Sequence, residues 1–564
     1  MSKGNIRISA VSVSCLFGLI SILFSASAFS APLPANIDAG QIEKRFDAVP
    51  IPLSKPKATV IPEVIGIEAP EGAENVRLTL SGVNFIGVTV FDADELKSIY
   101  ADFLDRDITL KDVYELAGSV TRYYSDAGYL LSRAIVPPQT IENNTVSIQV
   151  VEGYVDKVLI EGMEGQRPDL FDHYIKQIKA SRPLTAKVLE RYLLLANELS
   201  GVRFKTVMTP SDDNTGATTL TLSATLKSWD GSFNLDNRGS KSSGPWQSLI
   251  EFNAHDLMGR LGKTTVRYVT VPNDMDELQY WQLSHQQFLN GEGLRLAIDF
   301  TFTDSEPGGA ILRQLDVESR NRSGSVSLSY PMIRSREQNL TFVGGLTLRD
   351  SQTFQLGAIS SDDALTVLKL GFSYDGSDTW GGGGVNQLGV NLHQGIDAFS
   401  AHVTSRAQAQ PKFTSLSLQA RRNQLINKYW SADFRVNMQL GDGSLPSSEQ
   451  YGLGGESSVR GYEPSEWTGD DAVTASVEFI YHPEAELNDD LQFYSFYDFG
   501  KVRRADPIAL QESKTDIARA FGVGMRMELF KNSAINFELA NPLDLDSDGV
   551  QQDWQVYGRL RVSF

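Results

Sequence analysis

Thiols are almost missing from this chain. Its 564 residues include one cysteine, Cys15. That residue lies in an apolar stretch, Ile8 to Phe24, which follows Lys3 and Arg7 and leads into Ala26-Ser27-Ala28. A basic start, a short apolar core and a small-x-small ending are what a signal peptidase reads, so residues 1–28 are expected to be a cleaved signal peptide. Ser12-Val13-Ser14 ahead of Cys15 is a poor lipoprotein signal. The mature chain then has no thiol, which excludes disulfides, thiolate metal sites and cysteine nucleophiles. No later stretch is apolar for the ~18 residues a spanning helix needs, so a membrane could be crossed only with strands. Positive charge is also short. The chain has 51 basic and 70 acidic residues, and the leader takes Lys3 and Arg7 with it; that balance argues against nucleic acid as a partner. The histidines, His173, His255, His285, His393, His402 and His482, fall in different expected elements without i, i+4 spacing, and read as scattered surface residues. No Gly-x-Ser-x-Gly elbow is present. No enzyme and no cofactor are expected.

What the chain does contain is ordered in blocks. Residues 29–70 hold a short amphipathic helix, Asn36 to Phe46, and a linker with Pro50, Pro52, Pro56 and Pro62, whose prolines favour extended, semi-rigid backbone. Residues 71–154 read as an α+β unit: strand Val76 to Leu80, a helix capped by Asp92 and running through Phe103, and a second helix that starts on a capping-box-like pair, Thr109 and Asp112, and ends near Asp126. Two strands follow, through Tyr129 and Leu131 and through Val146, Ile148 and Val150, with Pro137-Pro138 as their turn. Residues 155–226 repeat the order: strand Val155 to Ile160, a helix with Leu170, Phe171, Tyr174, Ile175 and Ile178 on one face, a helix capped by Thr185, and strands Phe204 to Met208 and Thr218 to Thr225. The β-α-α-β-β repeat is one of element order.

After Leu226 helical periodicity stops. Leu294, Leu296, Ile298, Phe300 and Phe302 alternate with Arg295, Ala297, Asp299, Thr301 and Thr303. The same alternation runs through Ala432 to Leu440, Leu368 to Tyr374, Val473 to Phe479, Val523 to Leu529 and Trp554 to Phe564. A soluble sandwich alternates too, but it would bury Arg295, Asp299, Asp433 and Arg435 at a cost of several kcal/mol each; in a water-filled barrel they are wetted. At roughly ten residues per tilted strand and about as many per connection, residues 227–564 make about 16 strands. In lipid that sheet must close, because an open edge leaves backbone groups unpaired.

Tyr124, Gly128-Tyr129, Arg133, Pro137-Pro138-Gln139 and Val150-Val151-Glu152-Gly153 resemble the first receptor domain, called POTRA, of two-partner secretion transporters, the hemolysin activator and filamentous-hemagglutinin exporter family. Asp236-Asn237-Arg238-Gly239, Asp256-Leu257-Met258-Gly259, Leu453-Gly454-Gly455 and Val459-Arg460-Gly461-Tyr462 resemble its first barrel strands and long sixth loop, and Phe496-Tyr497-Asp498-Phe499-Gly500 its later strand motif. Val-Arg-Gly-Tyr is shared by the wider outer-membrane insertase superfamily; two POTRA units and the Pro-Pro-Gln turn narrow the match. The resemblance implies two POTRA domains followed by a transmembrane antiparallel β-barrel. The N-terminal helix, which can plug the barrel in this family, is short here.

Two residue-level expectations follow. Gly461 permits a turn, and Arg460 carries a rigid five-donor fork suited to a carboxylate. Alternation through Leu491, Phe493, Ser495 and Tyr497 turns Asp498 inward, so Arg460 and Asp498 are expected to pair and pin loop six to the wall, with Val459, Gly461 and Tyr462 on the loop side and Phe496 and Gly500 on the wall side; the family resemblance implies the same pair. The bland alternative is a surface arginine in a turn. Tyr129, Pro137, Pro138 and Gln139 form the POTRA turn motif.

Other motifs point to less. Gly259-Arg260-Leu261-Gly262-Lys263-Thr264 has the flavour of a phosphate loop, but the required earlier glycine falls at Leu257, so a turn between strands is expected. Asp544, Asp546, Asp548 and Gly549 begin like a calcium loop, but its twelfth position is Gln555, so a solvated acidic loop is preferred to a metal site. The functional expectation is export of an unfolded exoprotein of adhesin or cytolysin type across the bacterial outer membrane, with outer-membrane lipid around the barrel and the barrel-assembly machinery as biogenesis partner. The rivals are an insertase of the same superfamily and a small-solute pore.

Overall fold

The computed structural model describes residues 35–47, 69–163, 169–211, 214–483, 491–506 and 514–564. The expected signal peptide and nearly all of the proline-rich linker lie outside the described residues.

In the first α+β unit, Thr145–Val151 is the central strand of a three-stranded sheet, parallel to Gly82–Ile86 and antiparallel to Arg133–Ile135. Its side chains alternate, so Val146, Ile148 and Val150 are buried. Against this face lies the helix Leu110–Asp126, whose Val113, Leu116, Ala117, Val120 and Tyr124 share one stripe. Its start is fixed by reciprocal bonds: the Thr109 N–H donates to the Asp112 carboxylate at 2.6 Å, and the Thr109 hydroxyl accepts from the Asp112 N–H at 3.3 Å. The strand expected at Tyr129 and Leu131 is absent; pairing begins only at Arg133. Tyr129 instead packs its ring edge-on against Phe91 and Tyr124, and that packing takes its backbone off the sheet. Strand Gly82–Ile86 was not anticipated, because its glycine and asparagine weaken the apolar alternation.

The second unit repeats the plan. Ala217–Leu226 is central, parallel to Tyr154–Glu161 and antiparallel to Val202–Pro210, with helices Leu170–Ala180 and Ala186–Asn197 packed on the sheet. Its core does not stop at its own boundary. Leu261, from the turn that had looked like a phosphate loop, and Phe288, at the end of a barrel strand, are buried in the same cluster.

The remaining described residues close into a sixteen-stranded antiparallel barrel that runs from Trp229–Asp236 to Gln555–Ser563. The last strand pairs with the first from Arg559 opposite Asp236 to Ser563 opposite Ser232. Phe564 completes the seam by exchanging backbone bonds with Gly231 at 3.0 and 3.1 Å. Outward positions are apolar and exposed, as at Phe300 and Phe302, while Thr301, Thr303 and Ser305 between them are buried inward. That is the phase lipid demands outside and polar contents demand inside. Most turns at the end carrying the α+β units are short, and the opposite end carries the longer loops 396–413, 442–470 and 543–554.

The second unit grips the near rim. Glu292, in the second turn, accepts from His173 at 2.6 Å, Tyr192 at 3.0 Å and Arg191 at 3.4 Å. Glu198 bonds Arg295 at 2.9 Å and also Arg334, and Glu190 pairs with Arg336 at 3.2 Å. Two readings from sequence are corrected here. Arg295 is not a free lumen charge but a rim residue whose partner belongs to the preceding unit. His173 and His255 are not scattered surface residues: both stand at this junction, His255 between Asp230 at 2.8 Å and Ser200 at 2.6 Å.

Candidate functional site

The lumen is filled from both ends. Loop 442–470 leaves the far rim and folds back inside the barrel. Its base is braced by a ribbon, Tyr451–Leu453 against Trp467–Gly469. Leu453, Val459, Tyr462 and Trp467 pack against wall residues Ala472, Val502, Ala518 and Ala520.

At the tip, Gly461 takes a positive φ of 94° and Arg460 is driven into the wall, only 3% exposed. Its Nε donates to Asp498 at 2.7 Å, its Nη2 to the other Asp498 oxygen at 2.8 Å, and its backbone N–H to Asp498 at 3.1 Å. Such a two-pronged charge-assisted contact is the strong form of the hydrogen bond. Strand Gln492–Arg503 supplies the seat by alternation: Phe493, Ser495 and Tyr497 face out, whereas Tyr494, Phe496, Asp498 and Gly500 face in. The guanidinium carbon lies 3.4 Å from the centroid of the Phe496 ring, a cation–π contact. Gly500 leaves the room that Leu453 and Val459 occupy; a Cβ there would meet them at 2.2 and 2.7 Å. The Tyr462 hydroxyl accepts from the Asp544 N–H at 2.9 Å and donates to the Asp544 carbonyl at 3.0 Å.

Arg460 serves more than one carboxylate. Its Nη1 reaches Glu478 at 2.9 Å and Glu538 at 3.3 Å. Arg526 bonds Glu478 at 2.6 Å, and Arg238 bonds Glu538 at 3.1 Å. Tyr494 donates to Glu538 at 2.9 Å, and Arg559 ties Glu456, on loop six, to Asp236 of the first strand. Sequence reading missed Glu478, Glu538 and Arg526, and it quoted Arg238 only within the Asp236–Gly239 motif, without a partner. The two glutamates were legible in principle, since each sits in the inward phase of an alternating strand; which arginine each meets depends on register across strands.

The second occupant is the N-terminal helix. A 3-10 turn, Ala35–Ile37, leads into Ala39–Asp47, and this short element lies inside the barrel. Ile42 packs on the inward Val269, Val271, Leu278 and Tyr280. Glu43 bonds Asn321, Ser323 at 2.6 Å and Arg349 at 3.5 Å. Gln41 donates to the Ser447 carbonyl at 2.6 Å, and Lys44 to the Gln450 carbonyl at 3.1 Å, both on loop six.

Other expected site residues lie elsewhere. Gln139 extends the POTRA sheet edge with its side chain: its Nε2 donates to the Ser147 carbonyl at 2.8 Å and its Oε1 accepts from the Ser147 N–H at 2.6 Å. Pro137 and Pro138 set the turn that places it there, and the Pro137 carbonyl accepts from the same amide at 3.2 Å. Tyr124, beside Tyr129, donates to Glu152 at 2.9 Å; burial and that carboxylate push its hydroxyl pKa well up. These contacts are internal to the unit. Asp544 holds Arg519 at 2.6 Å, and Asp546 accepts from the backbone of Asp548 at 3.1 Å and Val550 at 2.7 Å. Among the described residues no three metal-ligating side chains converge.

A closed barrel with a POTRA-like pair at one rim and a loop turned inward from the other defines an outer-membrane transporter of the POTRA-barrel class. Residues 306–527 match the family model described as haemolysin secretion/activation protein ShlB/FhaC/HecB, and residues 78–153 match the ShlB-type POTRA domain. The heme/hemopexin transporter protein HuxB of Haemophilus influenzae (strain 86-028NP) is 23% identical over 82% of this chain and 83% of its own length. The outer membrane transporter CdiB of Dickeya dadantii is 23% identical over 79% and 80%. The solved structure of CdiB from Escherichia coli superposes with a TM-score of 0.68 at 20% identity, covering 89% of this chain and 93% of that one. The chain is thus similar to the ShlB/FhaC/HecB two-partner secretion transporters over most of its length. Its barrel spans the outer membrane and its POTRA domains stand in the periplasm, so loop six enters from the cell surface.

Proposed function

We propose that this protein exports a large unfolded exoprotein, with 1–28 as leader, 29–70 as helix and tether, 71–154 and 155–226 as the receiving POTRA domains and 227–564 as a gated conduit. The observation that carries the reading is the double occupancy of the lumen: the N-terminal helix and loop six fill it at rest, each held by polar contacts that can be exchanged for water or cargo. Arg460 and Asp498 act as the lock of loop six, and the helix acts as plug. A pore for small solutes has no use for such a closure or for two periplasmic domains.

Cargo enters as an extended segment. Val202–Pro210 is paired on one side only within its sheet, and an edge strand recognises backbone with little demand on sequence. Displacement of plug and loop then opens the path, and folding of the emerging chain outside, which buries apolar surface, makes passage directional without nucleotide. Lipid surrounds the apolar outer band, and the barrel-assembly machinery is the expected partner in insertion. The expected cargo is an exoprotein of adhesin or cytolysin type.

The test is a clean deletion of the gene followed by comparison of surface and medium proteins. Loss of one large exoprotein, with other barrels unchanged, is the expected result. Global loss of barrels would mean an insertase, and altered solute uptake alone would mean a pore.

A further inference from the structure

The surface mouth contains a further buried ion pair, separate from the loop-six tip. Arg406, in loop 396–413, is 4% exposed, and Asp470, where loop six returns to the wall, is 1% exposed. The Arg406 Nη1 and Nη2 donate to the two Asp470 oxygens at 2.5 and 3.1 Å. The same guanidinium also donates to the carbonyls of Leu445 at 2.8 Å and Asp506 at 3.1 Å. Asp470 in turn accepts from the Leu445 N–H at 2.8 Å, the Ala505 N–H at 2.8 Å and the Gln450 amide at 3.3 Å. One pair therefore joins loop five, both limbs of loop six and the base of the next loop. Loop five is fixed from its other side by Asp363, which accepts from the Thr404 and Ser405 N–H groups at 2.8 and 2.9 Å.

The limb so held is the one that touches the plug helix. After Leu445 a 3-10 turn, Ser447–Glu449, and the Gln450 that follows it present the carbonyls that Gln41 and Lys44 bond. Gly40 lies so close to this turn that a Cβ would meet the Ser448 Cβ at 2.7 Å. The Ser405 hydroxyl, beside Arg406, accepts from the Ser447 N–H at 3.3 Å. Direct contacts thus run from Arg406 to the helix without passing through Arg460.

We propose that Arg406 and Asp470 form a second latch, on the surface side, which positions the entry limb of loop six against the plug and so sets how readily the plug leaves, independently of Arg460–Asp498. The inference rests on the reading of Ala39–Asp47 as a plug. Removing Arg406 leaves the buried Asp470 carboxylate without its counter-charge and takes a donor from the Leu445 and Asp506 carbonyls, which favours an arrangement in which the limb moves out to water. The tip at 459–462 keeps all its own partners.

The full-length protein in planar bilayers tests this, with hydrogen exchange of residues 39–47 and 459–462 as second readout and heat-modifiable gel migration as the check on folding. Arg406→Gln and Asp470→Asn should each raise the open probability about tenfold, corresponding to a population shift of ~1.4 kcal/mol, and speed exchange of 39–47 while 459–462 stays protected. Combining Arg406→Asp with Asp470→Arg should recover part of the closure. Deletion of 35–47 supplies the unplugged reference. If that deletion opens the channel while the folded single variants gate and exchange as the wild type does, the latch is refuted; equal loosening of 459–462 refutes its independence. If the deletion itself changes nothing, the plug reading fails instead. Should Arg406→Gln not fold, Arg406→Lys, which keeps the charge but loses the fork, decides by the same criteria.

Discussion

At the residue scale, the central fact is that Arg460 has more acceptors than one. Asp498 takes its fork, Glu478 and Glu538 accept from its Nη1, and Phe496 lies under its flat face. A guanidinium suits this seat because its donors are planar and fixed; a lysine would offer one point charge to three carboxylates. Removing one partner of a buried pair costs ~3–5 kcal/mol because the other charge is left uncompensated. The barrel's backbone ladder does not depend on this contact, so the loss falls on loop six. Arg460→Glu and Asp498→Arg are each expected to abolish most secretion while leaving a heat-modifiable barrel, and their combination to restore a part of it, limited by Glu478 and Glu538. Secretion assays on cells carrying the three variants decide the matter: two silent single changes would remove Arg460–Asp498 from the mechanism.

At the element scale, the second POTRA domain and the barrel share a core through Leu261 and Phe288, and their contact is sealed by carboxylates. Glu292 carries a pH signature. Burial opposes its ionisation, but hydrogen bonds from His173 and Tyr192 and the charge of Arg191 outweigh burial and hold its pKa below the ordinary value. A carboxylate depressed in the docked state favours docking fully above its undocked pKa of about 4.3 and loses that contribution as pH falls through the lower docked value. The protection of residues 170–180 and 289–294 against exchange, relative to the intrinsic rate at each pH, should therefore stay level from neutral pH down to about 5 and fall below about 4. Glu292→Gln should be less protected throughout and show no such fall; a fall that persists in that variant would assign the effect to another group.

At the scale of the whole molecule, closure governs what can be measured. The last strand meets the first, Phe564 bonds Gly231, and the apolar residues that would form a core in a soluble protein face outward. Purified in detergent, the chain is expected to migrate faster on a denaturing gel before heating than after, and to precipitate when detergent is withdrawn without lipid. A species that stayed soluble and compact without either would contradict the barrel's orientation in lipid.

Much of this was legible in the chain. The alternation of Phe300 and Phe302 with Thr301 and Thr303 fixed an outside and an inside, because strand side chains alternate whatever their partners. The same rule turned Asp498 inward, and Thr109 with Asp112 marked a helix start, since caps are local chemistry. Tyr129 departs from the strand reading because its ring packing, against Tyr124 on the preceding helix and the more distant Phe91, outweighs local strand preference. The place of the short N-terminal helix was decided only in three dimensions: Ile42, Glu43 and Lys44 find partners on strands and loops hundreds of residues away, and amphipathicity alone says that a face is buried without saying where. The same holds for Arg406 and Asp470, which sit in unremarkable loops. A sequence determines the direction of each side chain along its own strand or helix; which charges meet inside a closed barrel is set by the register of sixteen strands and the return path of their loops.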